Sequence, residues 1–182
     1  KKTGKVIKAL IAVHVFGIPC KILELKKICK DFNLILIEDA AEAIGSFYKG
    51  KHLGLFGDSA ILSFNGNKTI TSGGGGFILT KNKKIAEDAK HLTTTAKLQH
   101  RWEFLYDQVG YNYRMSNINA AVGCAQLENI TKILRSKRKN FFYYQKVFKN
   151  EKDFSILAEP DNCKSNFWLN ALILKKPNMK LK

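Results

Sequence analysis

A chain of 182 residues is long enough for one domain, or one domain plus part of another, with a substantial buried core. Its 45% hydrophobic and 25% charged content are those of an ordinary soluble protein. The net charge of +16, from 31 basic against 15 acidic residues, suits nucleic acid, an anionic surface or phosphorylated small molecules as partners. The lysines are spread along the whole chain, however, with one denser run from Lys132 to Lys152, and a dispersed excess reads first as a solvated surface.

Cys20, Cys29, Cys124 and Cys163 show no CxxC or Cys/His spacing, and His14, His52, His91 and His100 lack metal-ligand spacing, so a catalytic metal is not expected. Cys29 and Cys124 fall within apolar helical patterns and are expected to be buried thiols. No apolar run is long enough to span a membrane and no signal peptide is visible, which makes the cytoplasm the expected location. The chain starts at Lys1 directly before an apparent strand, and is expected to be a piece of a longer protein.

Val6 to Val15 is apolar and rich in β-branched residues, predicting a strand closed by a turn at Phe16-Gly17-Ile18-Pro19. Ile22, Leu25, Cys29 and Phe32 step by three and four along one face of a helix. Leu34 to Ile37 is continuously apolar, the pattern of a parallel strand buried on both faces, and it ends in Glu38 and Asp39. Strand, helix and strand make a right-handed βαβ unit. A glycine-rich irregular stretch follows through Gly57, then strands at 60–64 and 76–80. Asn82 caps a helix whose buried stripe is Ile85, Ala86, Ala89 and Leu92, ending near Thr93-Thr94-Thr95. Residues 96–115 have no clean period and read as a long functional loop. Ser116 caps a further helix carrying Ile118, Ala121, Val122, Ala125, Ile130, Ile133 and Leu134, continuing through Lys146. Phe154–Leu157 and Phe167–Leu174 read as strands, and no internal repeat is visible.

Glu38 and Asp39 end a buried strand at the edge where open α/β sheets bind ligands. The next apolar strand delivers Ser63, and then Lys68, toward the same edge. An acid, a hydroxyl and a lysine gathered there suit a phosphorylated cofactor held through a Schiff base. Gly73–Gly76 lacks the helix start of a P-loop and reads as a tight turn, not a nucleotide site.

Asp39-Ala40-Ala41-Glu42, Gly57-Asp58, Ser63-Phe64 with Lys68, Gly73–Gly76 and Gly110-Tyr111-Asn112-Tyr113-Arg114-Met115 occur in one order. In that order the chain resembles the DegT-type sugar aminotransferases, which use pyridoxal 5'-phosphate (PLP) on the aspartate aminotransferase-like, type I fold. The resemblance covers most of residues 5–135. The wording of Ser63–Gly76 and Thr93–Met115 is most similar to the branch that aminates UDP-linked 4-keto-6-deoxy-N-acetylhexosamines. It implies an α/β architecture, a mostly parallel sheet flanked by helices. Residues 1–152 would form part of a PLP-binding large domain, and 153–182 the start of a small C-terminal domain.

By this resemblance Asp39 is the carboxylate beside the cofactor's pyridine nitrogen, where it favours the cationic ring. Lys68, five positions after Ser63, is the Schiff-base lysine and, once released, the base. Relatives with histidine there carry out deoxygenation, so Lys68 favours amination. Ser63 binds the cofactor phosphate, and Asn112 reaches the phosphate of the neighbouring subunit in a homodimer. Glu42 stands where glutamine is commoner; as a protonated carboxyl it can donate to the cofactor's ring oxygen. The phosphate-binding turn at a helix start and the aromatic ring stacked on the cofactor, which the family supplies, lie upstream of Lys1. His100, Arg101 and Trp102 are expected to line a sugar-nucleotide pocket or an interface.

The implied function is transfer of an amino group, glutamate being the expected donor, to a nucleotide-linked 4-keto-6-deoxy sugar for cell-surface glycans. Two alternatives stand beside it. One is a truncated, inactive relative. The other, from a different class, is a basic module that holds nucleic acid; no DNA- or RNA-binding motif accompanies the charge, and neither nucleic acid nor membrane is the expected partner.

Overall fold

The computed structural model describes residues 4–176. Thirteen regular elements follow in chain order among these residues: β1 (Ala9–Val13), α1 (Ile22–Asp31), β2 (Ile35–Asp39), β3 (Phe47–Tyr48), β4 (Lys51–His52), β5 (Ser59–Ser63), β6 (Gly76–Thr80), α2 (Lys83–Thr93), α3 (Asn117–Glu128), α4 (Ile130–Val147), β7 (Phe154–Ile156), β8 (Cys163–Lys164) and β9 (Leu172–Leu174). A single 3-10 turn, Val15–Gly17, follows β1.

The main sheet has the order β1-β2-β5-β6. β1, β2 and β5 run parallel, while β6 returns antiparallel to β5. The α/β class and the mostly parallel sheet are as expected. The carboxyl ends of the three parallel strands therefore share one edge, where Val13, Asp39 and Ser63 end their strands. α1 makes the crossover between β1 and β2. Its Ile22 and Cys29 are buried, and Asn33 just beyond the helix takes the left-handed conformation (φ 51°) that ends helices. Phe32, placed by its spacing on the buried stripe, falls on the cap and is exposed.

The strands alternate. Leu10, Ala12, Leu36, Leu62 and Leu79 face a core shared with Ile22, Ala40, Ala43, Ile44, Leu53, Phe56, Phe64 and Ile70, and Ala60 is fully buried. Ile11, Val13, Ile35, Ile61 and Ile78 form the opposite face and are exposed. This corrects the reading of β2 as buried on both faces: Leu36 is 2% exposed and Ile35 50%. The run of four apolar residues fixed the strand, but it does not distinguish a covered face from an uncovered one.

β3 and β4 form a hairpin within the stretch read as irregular. Its two turn residues, Lys49 (φ 48°) and Gly50 (φ 76°), both have positive φ, as tight hairpins require. β8 pairs with β3, and β7 with β9. Asn82 caps α2 as expected, its Oδ1 accepting the Ile85 N–H. The α2 stripe is only half-buried at Ile85, Ala89 and Leu92, and Ala86 is exposed. The helix expected from Ser116 onward is two: Asn129 (φ −98°, ψ 4°) leaves helical geometry between α3 and α4. Cys124 is exposed, not buried as its helical spacing suggested. Phe167–Leu174 contributes a strand only from Leu172, because Phe167 has φ 47°. The ends of the two expected domains, at 1–3 and 177–182, lie outside the described residues.

Candidate active site at the carboxyl edge of the sheet

Asp39 ends β2, and its Oδ1 accepts the Ala41 N–H at 3.1 Å, which turns the chain sharply off the strand. Asp39 is paired in register with Ile61, so Ser63 lies one same-face step further along β5. Both belong to the exposed-face parity of the sheet, away from Leu36 and Leu62. Ser63 Oγ accepts the Asn65 N–H at 3.4 Å, which leaves the hydroxyl proton able to donate elsewhere. The turn after β5 then carries Lys68, whose own N–H donates to the Asn65 carbonyl.

Lys68 Nζ lies 3.4 Å from Glu42 Oε1, with side chains 14% and 27% exposed respectively. The other oxygen of Glu42 accepts the Phe16 N–H at 2.8 Å. Phe16 has φ 57° and precedes Gly17 (φ 71°), where an added Cβ would stand 2.7 Å from the Glu42 carbonyl oxygen. Only glycine fits so close an approach, and it brings the turn after β1 against residue 42. On its other side, Lys68 Nζ stands 4.4 Å from the centroid of the Trp168 ring.

Glu38 is not a ligand-facing partner of Asp39. Its side chain points to the opposite, buried face, where Oε1 accepts the Phe56 and Gly57 N–H groups, each at 2.6 Å. Oε2 accepts the Gly54 N–H at 2.8 Å and lies 2.9 Å from His14 Nε2. Cys20 N–H donates to His14 Nδ1 at 3.3 Å, so the ring carries its proton on Nε2 and donates to Glu38. Burial opposes a charge on Glu38, but His14 and the Gly57 and Gly54 amides outweigh it and hold the carboxyl below its ordinary range. The pair thus fixes the 54–57 loop beneath β2 and sets the backbone that carries Asp39.

Asn166, 1% exposed, joins the site from far along the chain. Its Nδ2 donates to the carbonyls of Glu42 (2.7 Å) and Ile44 (2.9 Å), and its N–H donates to Ser46 Oγ at 3.0 Å. Nothing in the local sequence marked His14, Asn166 or Trp168, which act through partners distant in the chain. Glu38, expected beside Asp39 at the ligand edge, shares instead the face of Leu36, and that face is the buried one.

Asn112 is exposed and makes an isolated antiparallel bridge with Thr94, which holds the Gly110–Met115 stretch against the end of α2. His100 and Arg101 line a shallow hollow with Thr94 and Lys97. Arg101 lies over the Trp102 ring, 4.9 Å from its centroid. In the tetraglycine, Gly73 and Gly75 have positive φ (80° and 86°), and Gly75 accepts the Phe64 N–H, so the run is a tight turn into β6. Among the described residues no cluster of His, Cys, Asp or Glu could hold a metal ion, and no helix is long and apolar enough to cross a membrane.

The edge thus groups a carboxylate and a hydroxyl on one face of adjoining parallel strands with a lysine on the following turn. The family profile of the DegT/DnrJ/EryC1/StrS aminotransferases matches residues 1–181, and the chain belongs to that family. Its aminotransferases are PLP-dependent. The chain is 45% identical to the GDP-perosamine synthase of Escherichia coli O157:H7 over 139 residues, 76% of this chain and 38% of the relative. It is 32% identical to the UDP-4-amino-4,6-dideoxy-N-acetyl-beta-L-altrosamine transaminase of Campylobacter jejuni subsp. jejuni serotype O:23/36 (strain 81-176), over 95% of this chain and 46% of the relative. Among solved structures, Helicobacter pylori PseC, an aminotransferase involved in the biosynthesis of pseudoaminic acid, superposes with a TM-score of 0.88 at 26% identity, covering 93% of this chain and 46% of that one. The chain spans less than half the length of these relatives.

Proposed function

We propose that the protein is a PLP-dependent aminotransferase that moves an amino group, with glutamate as donor, onto the 4-keto carbon of a nucleotide-linked 6-deoxy sugar. The observation that carries this reading is the grouping at one sheet edge of Asp39, Ser63 and the Lys68–Glu42 pair. The donor set suits the cofactor: a carboxylate for a ring nitrogen, a hydroxyl for a phosphate, and an amine for a carbonyl. Bound there, PLP supplies the electron sink that transamination needs.

In this reading Asp39 favours positive charge on the ring nitrogen, and the Ser63 hydroxyl donates to the phosphate. Lys68 is the covalent anchor and, when free, the group that carries a proton at the substrate carbon. Glu42 would hydrogen-bond the cofactor's ring oxygen. Asn112, on the exposed 110–115 stretch, serves the phosphate of a second subunit, which makes the active species a homodimer with shared sites. Residues 1–152 belong to the large domain, and 153–182 begin the small one. The cytoplasm, where nucleotide sugars for cell-surface glycans are made, is the proposed location.

The substrate class follows from the wording of Ser63–Gly76 and Thr93–Met115, which favours a UDP-linked 4-keto-6-deoxy-N-acetylhexosamine. The 45% identity to a GDP-perosamine synthase supports a second reading, a GDP-linked sugar. Assaying the complete protein with glutamate, PLP and each keto sugar separates the two by kcat/KM. Absence of amination of either sugar, with PLP demonstrably bound, would overturn the proposed reaction.

A further inference from the structure

We infer that Trp168 is a positioning residue for Lys68. Its indole face and the Glu42 carboxylate form a resting place for the lysine ammonium when it is not joined to the cofactor. The inference rests on the reading of Lys68 as the cofactor lysine, and it adds a residue that no local feature of the sequence marks.

The contact is built, not incidental. Lys68 Nζ sits 4.4 Å from the Trp168 ring centroid while Glu42 Oε1 takes the same nitrogen at 3.4 Å. The ring is itself held: Trp168 Nε1–H donates to the carbonyl of Asn67, the residue before Lys68, at 2.6 Å. The Trp168 N–H donates to Asn166 Oδ1 at 3.0 Å, and Asn166 is anchored in turn to residues 42, 44 and 46. Phe167, between them, is held in the left-handed region (φ 47°), costly for a non-glycine residue, and persists because its surroundings determine it. Its ring stacks on Phe141 of α4 at 3.9 Å and lies under Arg138, 4.8 Å from the guanidinium carbon. Arg138 grips Glu159 through two parallel bonds of 2.8 and 3.0 Å, and Glu159 accepts the Ser165 N–H at 2.8 Å. Residues 165–168 are therefore fixed from both sides before the indole reaches Lys68.

The chemistry explains why an aromatic face is useful here. An aryl face attracts a cation through its quadrupole, yet offers no lone pair that competes for a neutral amine. The indole thus holds Lys68 while it is an ammonium and loses its grip when the nitrogen is uncharged. A second carboxylate in that position would bind the charge more strongly and hinder release.

The test is acetylation of the cofactor-free protein by acetic anhydride at one fixed pH, with Lys68 read by peptide mass spectrometry relative to Lys84, which is 82% exposed on α2. Trp168→Leu should raise Lys68 labelling about three- to fivefold, the weight of one partly desolvated cation–π contact. Trp168→Phe, which keeps an aryl face, should stay within about twofold of wild type on the same argument. Should the leucine protein fail to fold, Trp168→Met removes the ring with a more adaptable side chain and carries the same expectation. Labelling unchanged in the ring-less variant, or raised as far in Trp168→Phe, overturns the inference. Borohydride reduction of wild type with PLP separates the two levels. Pyridoxyl on a lysine other than Lys68 overturns the cofactor reading and this inference with it. Pyridoxyl on Lys68 with unchanged labelling overturns the inference alone.

Discussion

Glu42 divides its two oxygens between Lys68 Nζ, at 3.4 Å, and the Phe16 backbone N–H, at 2.8 Å. One carboxylate thus ties the candidate cofactor lysine to the turn that follows β1. The backbone contact does not take Glu42 away from Lys68. The ion pair is partly exposed, so its own contribution to stability is small.

Removing the Phe16 acceptor should matter more than removing the charge. Glu42→Ala should lower stability by about 1–2 kcal/mol in urea unfolding, since a part-buried N–H loses a charged acceptor. Glu42→Gln can still accept from Phe16, and can donate to the ring oxygen of PLP, so it should bind PLP and turn over nearly normally. A pH titration of the bound-cofactor absorbance checks the second half. An identical titration in Glu42→Ala and wild type would place Glu42 outside contact with the cofactor.

Covalent attachment is read directly. In the complete protein with PLP, borohydride should leave pyridoxyl on the peptide carrying Lys68, and Lys68→Ala should carry none. Asp39→Ala should weaken PLP binding more than Glu42→Ala, because it removes a charge partner of the ring and not one hydrogen bond.

Acid should release the loop beneath the site. Glu38 has its carboxyl held below the ordinary 4.5 in the folded chain, so its contribution is present above that value and is lost as pH falls through the lowered one. Glu38→Gln should lower stability by about 3 kcal/mol at neutral pH, as one oxygen that accepted amides becomes an NH2 donor facing them. It should also flatten the acid limb of melting temperature against pH. A Glu38→Gln protein with the wild-type acid limb would mean that other carboxylates govern it.

Assembly can be tested by complementation. Lys68→Ala and Asn112→Ala proteins, each inactive as homodimers, should regain part of the wild-type activity when mixed and allowed to exchange subunits. Demonstrated heterodimers without recovered activity would show that Asn112 does not act across the interface.

Local pattern made much of this legible. The βαβ unit, the strand at 76–80 and the Asn82 cap follow from apolar spacing and cap chemistry, which act within a few residues. The ordered motifs pointed to Asp39, Ser63 and Lys68 together. What was not legible depends on distance or on coverage. Burial of only one face of β2 depends on what packs against the sheet, which a four-residue apolar run does not encode. The break at Asn129 interrupts an apolar pattern that continues through it. His14 and Asn166 each look like ordinary polar residues until Glu38 or the 42–46 backbone is brought to them.

The span of the Asn166 bonds bears on the order in which the molecule is made. The carbonyls of Glu42 and Ile44 receive their Asn166 donor from 124 and 122 positions further along the chain. During synthesis the sheet edge is complete in sequence long before that donor leaves the ribosome, and closing so long a loop is slow. Nascent chains that stop before β8 would carry Asp39, Ser63 and Lys68 with the Glu42 and Ile44 carbonyls lacking this partner and no indole beside the lysine. The pocket for the lysine therefore matures among the last parts of this segment.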